Sequence, residues 1–165
     1  MTAAFDDLVT ANQKFAETFA LSGFDGVARA GIAIVTCMDS RIDPLGTFGL
    51  KAGDAKIFRN PGGRVDDRAL EALVLGVHLL NVNRIVVMPH TRCAMASSTL
   101  EELRERVSAS AGQDASWQSF GVVPDQRGAL LDDVRRVRSH PLIPETVEVG
   151  GFMYDVDSGL IDQLV

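Results

Sequence analysis

The sequence has few cysteines, no dense run of lysine and arginine, and no long apolar stretch. Only two of its 165 residues are cysteines, too few for a framework of disulfides. In a reducing compartment two thiols are more often free, catalytic or metal-bound than bridged. A chain of this length can bury a hydrophobic core without such bridges, so we expect one domain over residues 1–165.

Positive charge is also scarce. The chain has 16 Lys and Arg against 22 Asp and Glu, which gives a net charge of -6. Nucleic acids and anionic membranes attract basic surfaces, so we predict neither as a partner. No apolar stretch approaches the ~20 residues that cross a bilayer. Residues 1–7 lack the basic start and apolar run of a secretory signal, so we expect a cytoplasmic protein.

What the sequence does contain is an alternation of strand and helix patterns. Short apolar runs predict buried strands at 31–36, 56–59 and 84–88. Helices are predicted after the capping residue Asp66, after a capping box with Ser98–Glu101 spacing, and over 127–139. A strand over 145–155 and a turn at 157–159 predict a C-terminal hairpin. This order predicts an α/β fold of three layers, α/β/α, with a mainly parallel central sheet and an antiparallel C-terminal edge hairpin.

The N-terminal segment has an amphipathic pattern of its own. Its apolar residues predict a helix over 3–22 that ends at the glycines 23 and 26, and they are Phe5, Leu8, Val9, Phe15 and Phe19. Little of the domain precedes this helix to cover so many phenylalanines. We therefore expect it to pack on a neighbouring subunit of a homodimer or a higher homo-oligomer.

Residues with metal-binding side chains follow two of the predicted strands. Cys37 follows the first strand, His90 follows the third, and Cys93 lies three residues beyond His90. The carboxyl ends of parallel strands meet at one edge of a sheet, where sites tend to form. Two thiolates and one imidazole suit zinc, and three protein ligands leave a fourth position open, as in catalytic zinc sites.

Two charged residues stand close to Cys37 in the chain. Asp39 lies two residues from Cys37, near enough to reach the fourth position on a metal. Arg41 lies two residues further on and could instead hold Asp39 in a bidentate ion pair. The sequence leaves both arrangements open.

These motifs resemble the paired signature of the β-carbonic anhydrases. Cys37-Met-Asp-Ser-Arg41 matches the family's Cys-x-Asp-x-Arg, and His90-Thr-Arg-Cys93 matches its His-x-x-Cys. Arg59-Asn-Pro-Gly-Gly63 is similar to the family's Arg-Asn-Ala/Pro-Gly loop, and residues 150–159 are similar to its last strand and hairpin. The short chain and the Pro-Gly-Gly loop favour the compact prokaryotic members.

The resemblance implies a zinc lyase that reversibly hydrates carbon dioxide to bicarbonate and a proton. It implies that one Zn²⁺ per subunit is bound by Cys37, His90 and Cys93. It also implies that Asp39 and Arg41 form the catalytic dyad beside the metal. The glycine loop would then line the substrate pocket with Gly62 and Gly63, although both glycines could serve turn geometry alone.

Two residues of the metal loop depart from the family pattern. The family often has an aspartate before the second cysteine and a glycine after it, where this chain has Arg92 and Ala94. Arg92 adds a cation beside the metal loop, but neither change removes a ligand. Of the other histidines, we expect His78 to be structural and His140 to be a cation at a helix C-terminus.

Two other functions are compatible with the same ligands. Relatives of this family hydrolyse carbonyl sulfide or carbon disulfide on the same fold. A non-catalytic zinc-binding protein, used for assembly or regulation, would also keep the metal ligands.

Overall fold

The structure is a computed structural model that describes residues 3–165. Residues 1 and 2 of the predicted domain lie outside the described residues. The helices are α1 (Asp6–Ala16), α2 (Asp67–Leu79), α3 (Ala94–Ser97), α4 (Leu100–Ala111) and α5 (Gln126–Arg138). The strands are β1 (Ile32–Cys37), β2 (Ala55–Asn60), β3 (Arg84–Met88), β4 (Glu148–Tyr154) and β5 (Ile161–Gln163).

The strands form one five-stranded sheet in the order β2-β1-β3-β4-β5. The first four strands run parallel, with β1 between β2 and β3. The last strand, β5, pairs antiparallel with β4, and Phe152 lies opposite Gln163. The predicted α/β fold is therefore confirmed: a mainly parallel sheet with an antiparallel C-terminal edge, flanked by helices.

The main hydrophobic core lies between one face of the sheet and helices α2 and α5. Val35 of β1 and Val87 of β3 are fully buried in it. The helices contribute Leu70, Leu73, Leu130, Val134 and Val137. Burial of branched apolar side chains on both sides of β1 explains why these runs form strands. Packing against two helices also fixes the carboxyl ends of the strands, where the candidate ligands lie.

Helix α4 begins one residue later than the sequence pattern predicts. The capping box is formed by Thr99 and Glu102, in place of the predicted Ser98 and Glu101. The Thr99 hydroxyl accepts the backbone N–H of Glu102 at 3.2 Å, and the Glu102 carboxylate accepts the N–H of Thr99 at 2.8 Å. Ser98 is instead the C-cap residue of α3, which ends at Ser97. The predicted cap of α2 is confirmed, since the Asp66 carboxylate accepts the N–H of Ala69 at 2.8 Å.

The N-terminal helix is shorter than predicted and ends at Ala16, where the sequence pattern extended it to residue 22. The chain leaves the helix through tight turns, in which Thr18 and Phe19 donate backbone N–H groups to Phe15 and Ala16 at 3.2 and 3.3 Å. No side chain of α1 is buried. Because packing of an apolar face supplies most helical stability, nothing in the described chain supports further turns. None of the described helices is long and apolar enough to cross a membrane.

Candidate metal centre

The ends of three parallel strands bring the candidate ligands to one edge of the sheet. Cys37 is the last residue of β1 and lies opposite Asn60, the last residue of β2. His90 lies two residues beyond the end of β3 and forms an isolated bridge with Tyr154 of β4. The loop that follows His90 carries Cys93, which precedes the short helix α3. The predicted convergence at the carboxyl ends of the strands is thus present in the structure.

The structure brings Cys37, His90 and Cys93 together in a buried cluster. Their ligand atoms all lie within 4.8 Å of one another. The three residues are 4%, 0% and 2% exposed. Zinc binds cysteine sulfur and histidine nitrogen at about 2.0–2.3 Å, so atoms this close together can share one ion.

The imidazole of His90 has one nitrogen ready to bind a cation. Its Nδ1 lies 2.8 Å from the Thr91 carbonyl oxygen. Because a carbonyl oxygen only accepts, the proton is assigned to Nδ1 and the lone pair to Nε2. Nε2 is buried and has no hydrogen-bond partner among the described residues. Such an atom costs about 1–3 kcal/mol unless something binds it, and a metal ion would do so.

The two thiols affect each other's ionisation. The Cys93 thiol, His90 and two backbone N–H groups outweigh burial and lower the pKa of Cys37 well below its usual range. One of these groups is the N–H of Gly62, which donates to Cys37 Sγ at 3.3 Å. Cys37 and burial together raise the pKa of Cys93. A second thiolate beside the first is unfavourable without a cation, and a divalent ion between the sulfurs removes that penalty. The donor set therefore fits a borderline-soft ion such as zinc.

Asp39 is held by Arg41 beside this cluster. The guanidinium donates from Nε to Asp39 Oδ1 at 2.9 Å and from a terminal nitrogen to Oδ2 at 2.7 Å. These bonds and the Arg41 backbone N–H keep the pKa of Asp39 well below its usual range. Asp39 Oδ2 lies 3.8 Å from His90 Nε2, close to the cluster but beyond hydrogen-bond distance. Of the two arrangements left open by the sequence, the structure contains the ion pair.

The loop after β2 contacts both the sulfur and the backbone of Cys37. Arg59 donates to the carbonyl oxygens of Cys37 and Asp39 at 2.9 and 2.6 Å, which holds the backbone on both sides of residue 38. Gly62 and Gly63 are buried and have φ angles of 82° and 66°. A Cβ on Gly63 would lie 2.9 Å from the backbone nitrogen of Cys37. Both glycines are therefore explained by conformation and close packing, and their part in a substrate pocket stays a prediction.

Several residues that the sequence analysis did not single out hold the loop around His90. Tyr154 exchanges backbone hydrogen bonds with Pro89 and Thr91 at 3.0 and 2.8 Å. The Gln126 side chain donates to the His90 carbonyl oxygen at 2.9 Å. These partners lie far away in the sequence, and no local pattern marks them. By contrast, His78 bonds to the Leu142 carbonyl oxygen at 2.7 Å, away from the metal cluster, in agreement with its predicted structural role.

Arg92 lies between His90 and Cys93 in the chain, and its backbone adopts a left-handed conformation with a φ of 54°. Its guanidinium pairs with Asp157, in the turn between β4 and β5, at 2.6 Å. Its carbonyl oxygen lies 3.4 Å from a terminal nitrogen of Arg41. The cation predicted beside the metal loop is thus neutralised by the C-terminal hairpin.

Comparisons with known proteins agree with the site. A family model described as carbonic anhydrase matches residues 32–117, a span that contains all three candidate ligands. The carbonic anhydrase of Streptococcus mutans superimposes with a TM-score of 0.88 at 34% identity, covering 100% of this chain and 99% of that one. β-Carbonic anhydrase 1 of Mycobacterium tuberculosis is 29% identical over 163 residues, 96% of each protein. A carbon disulfide hydrolase of Acidianus sp. is 29% identical over 179 residues, covering 92% of this chain and 86% of that protein. The chain belongs to the β-class carbonic anhydrases.

Proposed function

We propose that the protein catalyses the zinc-dependent, reversible hydration of carbon dioxide to bicarbonate and a proton. One observation carries the proposal: the sulfurs of Cys37 and Cys93 and an imidazole nitrogen of His90 lie within 4.8 Å of one another. The buried and unpartnered Nε2 of His90 supports it. Membership of the carbonic anhydrase family supports the choice of substrate.

We assign one Zn²⁺ per subunit to these three ligands. Bound zinc lowers the pKa of a water molecule toward neutrality and so supplies a nucleophile at physiological pH. The Thr91 carbonyl oxygen holds the His90 ring in the tautomer that presents Nε2. The thiolates of Cys37 and Cys93 supply two negative charges, which balance those of a divalent ion.

Asp39 and Arg41 would act as a dyad. Because Arg41 keeps the carboxylate ionised, Asp39 can only accept hydrogen bonds, and Oδ2 is the oxygen nearest to His90. We propose that Asp39 Oδ2 accepts a hydrogen bond from the reacting water and so orients its lone pair toward carbon dioxide. Loss of the Arg41 ion pair would free Asp39 to become the fourth ligand, which would close the site.

We place carbon dioxide against the loop of Gly62 and Gly63. A Cβ on Gly62 would lie 3.5 Å from Val123 Cγ2 and 3.6 Å from Met95 Cβ. Apolar side chains therefore lie next to this glycine, as a small apolar gas requires.

Metal analysis and stopped-flow hydration of carbon dioxide test the proposal together. We expect one zinc per chain and rapid hydration in the wild-type protein. The Cys37→Ser variant should lose most of the zinc and the activity, since it replaces a thiolate with a weak ligand. Wild-type protein that holds zinc but hydrates no carbon dioxide would contradict the proposal, and it would favour a non-catalytic zinc protein used for assembly if it turned over no sulfur compound either.

A second candidate function is hydrolysis of carbon disulfide or carbonyl sulfide. The similarity to a carbon disulfide hydrolase over most of both chains is the observation that favours it. Assays of the same preparation with carbon dioxide, carbonyl sulfide and carbon disulfide separate the two candidates. Turnover of either sulfur compound with negligible hydration of carbon dioxide would replace the leading proposal.

We also propose that the chain is the single-domain subunit of a cytoplasmic homodimer or higher homo-oligomer. The exposure of α1 supports this proposal, since Phe5, Leu8 and Phe15 are 66%, 61% and 61% exposed. The face of the sheet opposite α2 and α5 supports it as well. There Val86 and Phe152 are only partly buried, and a neighbouring subunit could cover them.

A further inference from the structure

We propose that Asp133, on helix α5, is a positioning residue for the metal centre. Asp133 accepts hydrogen bonds from Arg64 and Val65 in the loop that follows β2. The same loop contains Gly62, whose N–H donates to Cys37 Sγ. The inference rests on the proposed function, because it needs Cys37 to be a metal ligand. It concerns a carboxylate that lies outside every motif of the metal centre.

The surroundings of Asp133 point to this role. The residue is 3% exposed, and a buried carboxylate is costly unless it is paired and hydrogen-bonded. Its oxygens accept from Arg64 Nε at 2.6 Å, from an Arg64 terminal nitrogen at 3.0 Å and from the Val65 N–H at 3.2 Å. All three hydrogen bonds come from the loop after β2. They compensate for the cost of burying the Asp133 carboxylate.

The position of Arg64 affects the position of Gly62, because both residues belong to one short turn. Asn60 closes the loop from its other end, since its side chain accepts the Arg64 N–H at 2.8 Å and donates to the Arg64 carbonyl oxygen at 2.7 Å. Between these residues lie only Pro61, Gly62 and Gly63, which have no long side chains to anchor them. Arg64 therefore anchors one end of the turn that places the Gly62 N–H 3.3 Å from Cys37 Sγ, as Asn60 anchors the other, and Arg136 of α5 also donates to the Val65 carbonyl oxygen at 2.6 Å.

A donor on a thiolate ligand affects how that ligand binds a metal. Partners that orient a metal ligand typically change metal affinity by about 10–100-fold when they are removed. Asp133 acts through Arg64 and Gly62, so we expect an effect near the lower end of this range. A weaker N–H bond to Cys37 Sγ also leaves more electron density on the sulfur, which shifts the thiolate-to-metal charge-transfer band.

The test compares Asp133→Asn with the matched control Asp132→Asn. Both variants remove one carboxylate charge from neighbouring positions of α5. Among the described residues Asp132 forms its one ion pair with Arg135 on the same helix, at 2.6 Å, its side chain is 67% exposed, and it forms no hydrogen bond with Arg64. Zinc loss to a chromophoric chelator and the absorption spectrum of the Co²⁺-substituted protein are measured for both variants and the wild type.

We expect Asp133→Asn to release zinc about tenfold faster than wild type and to shift the cobalt–thiolate band, and Asp132→Asn to match wild type in both. If Asp133→Asn lowers the melting temperature but leaves the release rate and the band unchanged, the residue is merely structural and the inference fails. Arg64→Met tests the same link should Asp133→Asn not fold, and a wild-type release rate and band in that variant would overturn it. Wild-type protein that binds neither metal would instead overturn the proposed function.

Discussion

The chemical state of each side chain at the metal centre is decided by the hydrogen bonds that it makes with neighbouring groups. A backbone carbonyl oxygen fixes the tautomer of His90, and the N–H of Gly62 approaches the sulfur of Cys37. Arg41 keeps Asp39 ionised through two hydrogen bonds at 2.7 and 2.9 Å. The sequence showed the residue types and offered Arg41 as one possible partner of Asp39, whereas the Thr91 carbonyl oxygen and the Gly62 N–H became visible as partners only in the structure.

Arg41→Met tests the ion pair with Asp39. The substitution removes both side-chain hydrogen bonds to the carboxylate, so Asp39 is no longer held in place. We expect carbon dioxide hydration to fall about 10–100-fold while the zinc content stays at one per chain. Stopped-flow assays and metal analysis measure the two quantities. Arg68→Met is the control, because the ion pair of Arg68 with Glu71 is exposed and unrelated to the site. An unchanged rate in Arg41→Met would show that the ion pair does not matter.

Gly63→Ala tests the close approach of the glycine loop to β1. A Cβ at this position would lie 2.9 Å from Cys37 N and 3.1 Å from Thr36 C, which are backbone atoms of β1. The positive φ adds a further cost, and we expect a loss of about 3 kcal/mol in the free energy of unfolding.

The matched control for this substitution is Gly112→Ala. Gly112 has a similar φ of 64° but nothing within 4 Å of the added Cβ. The Gly112→Ala variant should lose about 1 kcal/mol of unfolding free energy, because only the left-handed backbone conformation disfavours alanine there. Urea unfolding of the metal-free proteins measures both variants. Equal losses would show that the contact with β1 carries no cost.

At the level of elements, the strands were easier to predict than the helix ends. The predicted strand over 84–88 coincides with Arg84–Met88, because a run of buried β-branched residues has few alternatives to a strand. The predicted strand over 145–155 is shorter, Glu148–Tyr154. Before it, the Val147 N–H turns back to the Pro144 carbonyl oxygen at 3.0 Å. The ends of helices and strands depend on single hydrogen bonds, and neighbouring polar residues compete for these bonds.

The start of α4 gives an element-scale prediction. Thr99→Ala removes the side-chain acceptor of the capping box and should cost about 1 kcal/mol of unfolding free energy. Ser98→Ala removes the hydroxyl that the sequence spacing favoured and should change stability by less than about 0.5 kcal/mol. Urea unfolding compares the two variants. A larger loss for Ser98→Ala would mean that the sequence-based assignment of the cap was right.

At the scale of the whole molecule, helix α1 has an apolar face that the described chain does not bury. It carries exposed apolar residues at Phe5, Leu8, Val9 and Phe15, yet none of its side chains is buried. A helix of 11 residues is marginal in water without packing. Contact with a second subunit would supply that packing.

Leu8→Glu tests this contact. A carboxylate on the apolar face of α1 would be buried without a partner in the interface, so we expect the protein to dissociate. Light scattering should then give a mass close to the 17.7 kDa of one chain, and a multiple of it for wild type. Thr10→Glu places the same charge on the opposite face of the helix and should leave the oligomer intact. A monomeric wild-type protein would contradict the proposed assembly.

The sequence by itself determined the fold class and the identity of the candidate ligands. Apolar periodicity follows from which faces of an element are buried, so it predicts the strands and helices. Cys37 and His90 follow two of the predicted strands, and Cys93 lies three residues beyond His90. Only the tertiary structure decided that Asp39 pairs with Arg41, that Thr99 caps α4 and that Asp133 grips the loop beside Cys37. Each of these outcomes depends on distances of a few ångströms between groups that compete for the same hydrogen bonds, or that lie far apart in the chain. Local sequence patterns contain no such information.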